Sequence, residues 1–431
     1  MSMRLHQLPR KVFAELATGG GGQDAVSHLA AAEHSKHMTL IVGVLGAAQG
    51  GEQYQLARQG YDLLTAAWRA DRDAAETVIR HPSVGVWARR TIQACRGGPV
   101  NPGAEPGGLR TIAAAAAIRA GLPTEVEVAV TDGRVMLSSL GTAEAPGDSV
   151  IVRSGRGHVK VGPVEVPGSP GEDAPGWLGL RRVRAGSLSV LIDDLDPFRM
   201  PDVPDLAPRQ QHSAREWETA FGQAWPLLER HHPVTAAEIA ATVSVIVPRT
   251  GRLAGVVSTS SPEAFGAVAM SFPPDPVTCA ETLAHEIQHL KLSALMDIVT
   301  LTEPDDGRRY YAPWRDDPRP LSGLLQGAYA YLGVSGFWRR QRRLDAGPRQ
   351  PEAEFARWRE AAAGAVETLR SSGRLTPPGL DFVSGMARTL TAWREEPVSA
   401  TAQYQARRAA QAHLARWQSV NGALPDRFGE G

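Results

Sequence analysis

Apolar positions recur at helical spacing over the first part of the chain. The stretches 12–17, 24–45, 54–70 and 74–80 are rich in Ala, Leu, Gln and Arg. Gly19 to Gly22 breaks the first two. His81-Pro82 opens a further segment that contains Trp87 and runs to Cys95, residues 97–108 form a Pro/Gly-rich connection, and 109–120 reads as a small-residue helix. The pattern changes at about Leu122. Short β-branched runs at 125–129, 135–140, 149–152, 158–161 and 187–192 alternate with Asp-Gly, Pro-Gly and Gly-Arg-Gly turns, the signature of a small antiparallel unit. The proline-rich stretch 201–208 reads as a linker. A helix over 214–231 follows, then strands at 243–247, 254–258 and 266–271. Helices at 275–299, 321–344, 351–371, 379–393 and 400–417 complete the chain. No period suggests a repeat array. The expected fold is α+β and mainly helical, in three parts: a helical region over 1–121, an antiparallel β unit over 122–200, and a domain over 209–431 in which strands precede a helical bundle.

Composition narrows the possibilities. The 431 residues, 42% of them hydrophobic, are enough for two to three domains with real cores. Lys+Arg and Asp+Glu both number 46, so the basic excess expected of a general nucleic-acid binder is missing. Two cysteines, Cys95 and Cys279, cannot build a disulfide framework or a four-cysteine zinc site, and they fit a reducing cytoplasm. The basic start, residues 1–12, has no apolar stretch after it and is not expected to be a signal peptide. The apolar run 38–48 is about half of what a membrane span needs.

The chemistry concentrates at Glu281-Thr-Leu-Ala-His285-Glu286-Ile-Gln-His289-Leu-Lys-Leu. On a helix, positions i and i+4 share a face one turn apart, so His285 and His289 can reach one metal ion, and Glu286 stands close enough to hydrogen-bond a metal-bound water. Asp275 as N-cap and Pro276 at the first helical position support the helix, and Leu283, Ile287, Leu290 and Ala294 give it an apolar stripe. A third ligand is needed, yet no histidine lies between His289 and His413. Gln326, on the next helix among small residues that permit close packing, is the candidate, although neutral and weak. Asp297 and Glu303 are the carboxylate alternatives, and Asp297 is equally read as a helix-capping residue. Between the two helices runs Tyr310-Tyr-Ala-Pro-Trp-Arg315-Asp-Asp-Pro-Arg319-Pro, an aromatic and basic loop placed to cover the metal. Arg315 or Arg319 can clamp a carboxylate there, or can pair with acidic neighbours in an ordinary surface loop.

Other features carry less. His34 and His37, and His231-His232 before Pro233, read as structural or solvent-facing, the last pair as cations favoured at a helix C-terminus. Gly19 to Gly22 lacks the Gly-Lys-Ser/Thr of a phosphate loop, and the arginines at 339, 340, 342 and 343 read as a solvated helix end.

Ser271-Phe-Pro-Pro-Asp-Pro276, the His285–Leu292 run, Tyr311-Ala-Pro-Trp-Arg315 and Gly323-Leu-Leu-Gln-Gly-Ala-Tyr-Ala330 together resemble a bacterial family. It comprises the His-Glu-x-x-His peptide-modification proteins encoded beside ribosomally made peptides, including those whose precursors end in Phe-x-Ser-x-x. The resemblance is concentrated in residues 240–340. It implies an iron- and 2-oxoglutarate-dependent peptide β-hydroxylase with Fe(II) on His285 and His289, 2-oxoglutarate chelating the metal, and Glu286 handling protons or belonging to the ligand shell. It implies a precursor peptide as substrate, with a radical-SAM peptide maturase of the same gene cluster as a candidate partner, and neither nucleic acid nor membrane. A peptide could add to the edge of the preceding strands. The competing readings are a zinc metallopeptidase with Glu286 as general base and Asp297 or Glu303 as third ligand, and a peptide-binding scaffold that retains a dead metal site.

Overall fold

The computed structural model describes residues 6–155, 157–209, 211–251, 256–344 and 350–422. It is a mixed α+β structure, 54% helical, in the chain order N-terminal helices, central sheets and C-terminal helical bundle. The first helices are α1 (Arg10–Ala17), α2 (Gly22–Ala48), α3 (Tyr54–Ala70), α4 (Arg72–Ile79), α5 (Pro82–Cys95) and α6 (Leu109–Arg119). Nine strands follow: β1 (Thr124–Ala129), β2 (Arg134–Leu137), β3 (Gly141–Glu144), β4 (Ser149–Gly155), β5 (His158–Val161), β6 (Val164–Val166), β7 (Trp177–Gly179), β8 (Arg181–Ala185) and β9 (Leu188–Ile192). Then come α7 (Ala214–His231), α8 (Pro233–Thr242), β10 (Val245–Arg249), β11 (Ser258–Thr259) and β12 (Ala267–Ser271). The chain closes with α9 (Pro276–Met296), α10 (Leu321–Gln341), α11 (Pro351–Ser371), α12 (Pro377–Arg394) and α13 (Ala400–Asn421). No helix among the described residues is long and apolar enough to cross a membrane. The expected strand at 254–258 falls partly outside the described residues.

The chain divides into two compact units. One is Met1–Ala30, Ala224–Ala241 and Asp275–Gly431, and the other is Ala31–Gln223 and Thr242–Pro274. These cuts do not coincide with the boundaries at 121 and 201–208 expected from the sequence. The reason is strand pairing. Strands β1 to β7 form two antiparallel sheets, ordered β1-β4-β5-β6 and β2-β3-β7, as the turn signals implied. The β8–β9 hairpin instead joins a five-stranded mixed sheet, ordered β11-β12-β10-β9-β8, in which β9 and β12 both lie parallel to β10. Parallel neighbours need a long crossover, so the proline-rich stretch lies between two strands of one sheet and does not separate two domains.

The sheet-bearing unit buries a large core in which Trp87, Trp177 and the alanines at 113–117 of α6 take part. Such small side chains let α3, α4 and β1 approach α6 closely. The inner positions of the mixed sheet, Leu191, Val245, Val247, Ala267 and Ala269, form a second apolar cluster with Val86.

In the other unit α10 packs on α9 and α11, α11 also meets α12 and α13, and α1 lies on α12. The glycine turn at 19–22 has a structural task here. Gly19, Gly21 and Gly22 adopt φ of 84°, 115° and 62°, conformations that Gly enters without steric cost. The turn offers the Gly19 and Gly20 carbonyl oxygens to Lys291 Nζ at 3.3 and 3.1 Å, while Gly22 N–H donates to Glu238 Oε1 at 2.9 Å. Lys291 and Glu238, each 1% exposed in the side chain, pair at 2.8 Å. The arginine-rich end of α10 is not a solvated run, because Arg339, Arg342 and Arg343 converge on Glu396.

Candidate metal centre

Helix α9 forms where its sequence signals place it. The Asp275 carboxylate accepts from Thr278 N–H at 2.8 Å, and Pro276 occupies the first turn. One face of the helix is anchored by Lys291, and by Gln288, whose amide also donates to the Gly19 carbonyl oxygen at 3.2 Å. His285 and His289 stand on another face, partly buried, with their Nε2 atoms 3.1 Å apart. Two nitrogens each about 2.1 Å from one ion, at an angle of about 90–100°, stand about 3.0–3.2 Å apart. The pair is therefore spaced to share an ion.

The tautomers agree with that use. His289 Nδ1 lies 3.1 Å from Gln326 Oε1, and the Gln326 amide nitrogen donates to Ser293 Oγ at 3.1 Å. With the amide oriented so, His289 Nδ1–H donates to it and Nε2 is left with its lone pair turned toward His285. Burial, reinforced by His289, lowers His285 well below the ordinary histidine range and keeps it neutral. Gln326 thus meets His289 on the far side of the ring from Nε2, where it orients the imidazole. The expected third metal ligand stands as an orienting partner of His289 in this arrangement.

No other acidic, histidine or cysteine group among the described residues gathers with this pair into a cluster of three donors. Asp297 is exposed and occupies the C-cap of α9. Glu303 is also exposed, and its backbone N–H is held by the Arg374 carbonyl oxygen at 2.9 Å. Glu286 is 1% exposed.

The aromatic loop does reach this region. Trp314 stacks on Tyr331 of α10 with ring centroids 4.7 Å apart, and Tyr331 presents its face or edge to His285 at 5.2 Å and an interplanar angle of 80°. Trp358 covers Tyr331 at 4.3 Å. A side chain at Gly327 would meet the Trp314 ring at 2.4 Å, so glycine is what lets the indole lie down on α10. The close approach of α10 to α9 is made further along, where a Cβ at Gly333 would meet Gln288 Cγ at 2.5 Å. Burial raises the Tyr331 phenol, and the Glu281 and Glu286 carboxylates add to the effect, so the hydroxyl stays protonated. Arg315 and Arg319 both bind Asp317 within the loop, at 2.7 and 3.0 Å. Their side chains are 52% and 32% exposed, so each retains open donors.

His37 and His232 both take the structural role that the sequence allows. His37 is buried, with Nδ1 2.8 Å from the Ile79 carbonyl oxygen, and His232 is buried against Phe337 at 4.6 Å. Burial lowers both to about 4, so His232 is not the helix-end cation expected. His81, Asp193 and Asp196, which no sequence motif marks as a set, gather in the sheet-bearing unit. Their one legible sign is Asp193-Asp-Leu-Asp196 directly after the apolar strand β9. No family model matches the sequence, and a search of curated proteins gives no match.

Proposed function

We propose that the chain is a cytoplasmic Fe(II)- and 2-oxoglutarate-dependent hydroxylase acting on a side-chain β-carbon of a ribosomally made precursor peptide. The observation that carries this reading is the His285–His289 pair: two imidazoles at ion-sharing distance, one oriented by Gln326, with no carboxylate cluster around them among the described residues. Two neutral ligands leave a divalent ion its full charge and several open positions. That favours an anionic, bidentate chelator such as a 2-oxo acid over the three-ligand tetrahedral set of hydrolytic zinc. The zinc peptidase reading would need Asp297 or Glu303, and both are exposed.

When bound, iron with 2-oxoglutarate and O₂ supplies the oxidising power for the net change of a C–H bond into C–OH, with succinate and CO₂ as the other products. The chain's own residues do the rest. His285 and His289 hold the ion, and Gln326 keeps the His289 lone pair aimed at it. Trp314, Tyr331 and Trp358 form an aromatic wall beside His285 that limits water on that side. Arg315 and Arg319 can exchange Asp317 for the distal carboxylate of the cosubstrate by charge-assisted bonds. Glu286, buried one residue from His285, is the proton-handling group of this reading. A radical-SAM maturase remains the proposed partner of the same peptide.

The test is to add Fe(II) and 2-oxoglutarate to the metal-free protein under argon and record the visible spectrum. A metal-to-ligand charge-transfer band, lost in His285→Ala, is expected. A flat spectrum together with tight zinc binding would reject the oxygenase reading in favour of hydrolysis.

A further inference from the structure

We propose that His81, Asp193 and Asp196 form a second divalent-cation site, separate from the His285–His289 pair and built within the sheet-bearing unit. One donor atom from each residue lies within 4.8 Å of the others, and the three residues are 4%, 0% and 2% exposed. Donors held about 2.1 Å from one ion spread over about 3–4 Å, so small side-chain rotations close the set.

The elements explain why these residues meet. Asp193 follows the last residue of β9, and its backbone N–H is fixed by the Ile246 carbonyl oxygen of β10 at 2.9 Å. The carboxyl ends of parallel strands are where α/β sheets place ligands. His81 caps the start of α5, whose second residue is Ser83.

Hydrogen bonding leaves donors with nothing to bind. Asp193 Oδ1 accepts from the Leu195 and Asp196 N–H groups at 3.1 and 2.9 Å, while Oδ2 is buried without a hydrogen-bond partner among the described residues. The Ser83 hydroxyl bonds the Asp196 carboxylate, as does Ser138. Ser83 has one proton to give, so its oxygen accepts from His81 Nδ1–H at 2.7 Å. His81 Nε2 is then a lone pair, and it too is buried with no hydrogen-bond partner. An imidazole whose other nitrogen is tied down by a hydrogen bond that also serves a neighbouring ligand is the usual outer-shell arrangement of a metal-binding histidine.

The surrounding charges do not fill the gap. Asp194, between the two carboxylates in sequence, is paired with Arg181 and with Arg209 at 2.8 Å. Among the described residues, Asp193 and Asp196 have no such ion pair. Arg199 donates to the Asp196 backbone carbonyl oxygen at 2.6 Å, and Arg119 is spent on Ser139. The Arg199 charge acts on both carboxylates, but among the described residues no guanidinium bonds either, and two buried carboxylates so placed call for a cation or a proton.

A cavity in the same unit reaches the Asp196 side of the group. Its volume is about 260 Å³, and it is lined by Ser83, Ser138 and Asp196 at this end, and by Gln53, Trp87 and Arg110 elsewhere. One imidazole and two carboxylates suit Mn²⁺, Fe²⁺ or Zn²⁺ better than Ca²⁺ or Mg²⁺, which prefer oxygen alone.

The experiment uses the full chain with His285→Ala and His289→Ala, so that any ion retained belongs elsewhere. Mn²⁺ is added to the metal-free protein and excess is removed by gel filtration. One equivalent of retained Mn²⁺ is expected, with electron spin-echo modulation from a single imidazole nitrogen. Adding Asp193→Asn, which keeps the Oδ1 bonds, should weaken Mn²⁺ binding by about 100-fold or more, beyond the usual effect of an outer-shell change. No retained Mn²⁺, retained Mn²⁺ without an imidazole nitrogen, or unchanged affinity in the Asp193→Asn chain would overturn the proposal. If Asp193→Asn does not fold, the spectrum of the parent chain decides alone. The charge-transfer test of the His285–His289 pair is read on the chain with that pair intact, so either site can fail without the other.

Discussion

One unit of this protein sets two imidazoles edge to face, one turn apart on a single helix, with no acidic cluster around them among the described residues. The other sets one imidazole beside two carboxylates at the end of a strand. The first arrangement is neutral and partly open, suited to an ion whose charge is completed by a ligand from solution. The second carries its own negative charge and is buried on every member, so an ion there would be matched mainly by the protein. Each arrangement uses a neutral outer partner to fix one ring: the Gln326 amide for His289 and the Ser83 hydroxyl for His81. Similar devices therefore serve opposite electrostatic problems, and the contrast can be tested by removing what holds each one.

The largest effect is expected from the anchored face of α9. Lys291→Met leaves Glu238 buried without its partner, and loss of one member of such a pair costs about 3–5 kcal/mol. Burial lowers the Lys291 ammonium while Glu238 acts against that shift. Urea unfolding should show the loss, and Lys291→Met with Glu238→Gln should recover most of it, because the Gln oxygen still accepts from Gly22 N–H. A cost under about 1 kcal/mol for the single variant would mean that the glycine turn, and not the pair, holds α9 in place.

Acid should act next. The His232 pKa is about 4, lowered mainly by burial, against about 6.5 in the unfolded chain. A depressed folded value means that the unfolded state takes up the proton first. The stabilising contribution is complete above pH 6.5 and is lost as pH falls toward 4, amounting to about 2 kcal/mol by pH 5. His232→Asn should flatten that part of the stability profile of its unit, followed by denaturant midpoints between pH 7 and 5. An unchanged slope would show that His232 does not carry it.

How much of this was legible depends on how far apart the cooperating residues lie. Helix α9 was readable because Asp275, Pro276 and the apolar stripe are local signals, and the histidine pair because it needs one turn of one helix. The strands were readable one by one from their turns. Their allocation was not: β9 pairs with β10 across more than fifty intervening residues, and nothing local in Leu188–Ile192 distinguishes a hairpin partner from a parallel one. His81 lies more than a hundred residues from Asp193, and its neighbour Pro82 makes it look like an ordinary helix start. Gln326 is legible by position as a neighbour of the pair, and the structure puts its amide oxygen beside His289 Nδ1. Sequence spacing puts a residue near a histidine without saying which nitrogen it meets.

That distinction yields the smallest and sharpest prediction. If Gln326 only orients His289, Gln326→Leu should weaken Fe(II) binding at the pair by about 10-fold, the low end for an outer-shell residue. A metal ligand in the same place would make the loss nearly complete. Ser83→Ala should weaken Mn²⁺ at the second site by a similar factor, since His81 then loses the acceptor that holds its Nδ1 proton. Each substitution should leave the other site's affinity unchanged, measured by titration on chains in which the opposite site has been removed. Near-total loss of Fe(II) binding in Gln326→Leu would restore Gln326 as a ligand, and the neutral pair would become a three-donor centre with one fewer position for a cosubstrate.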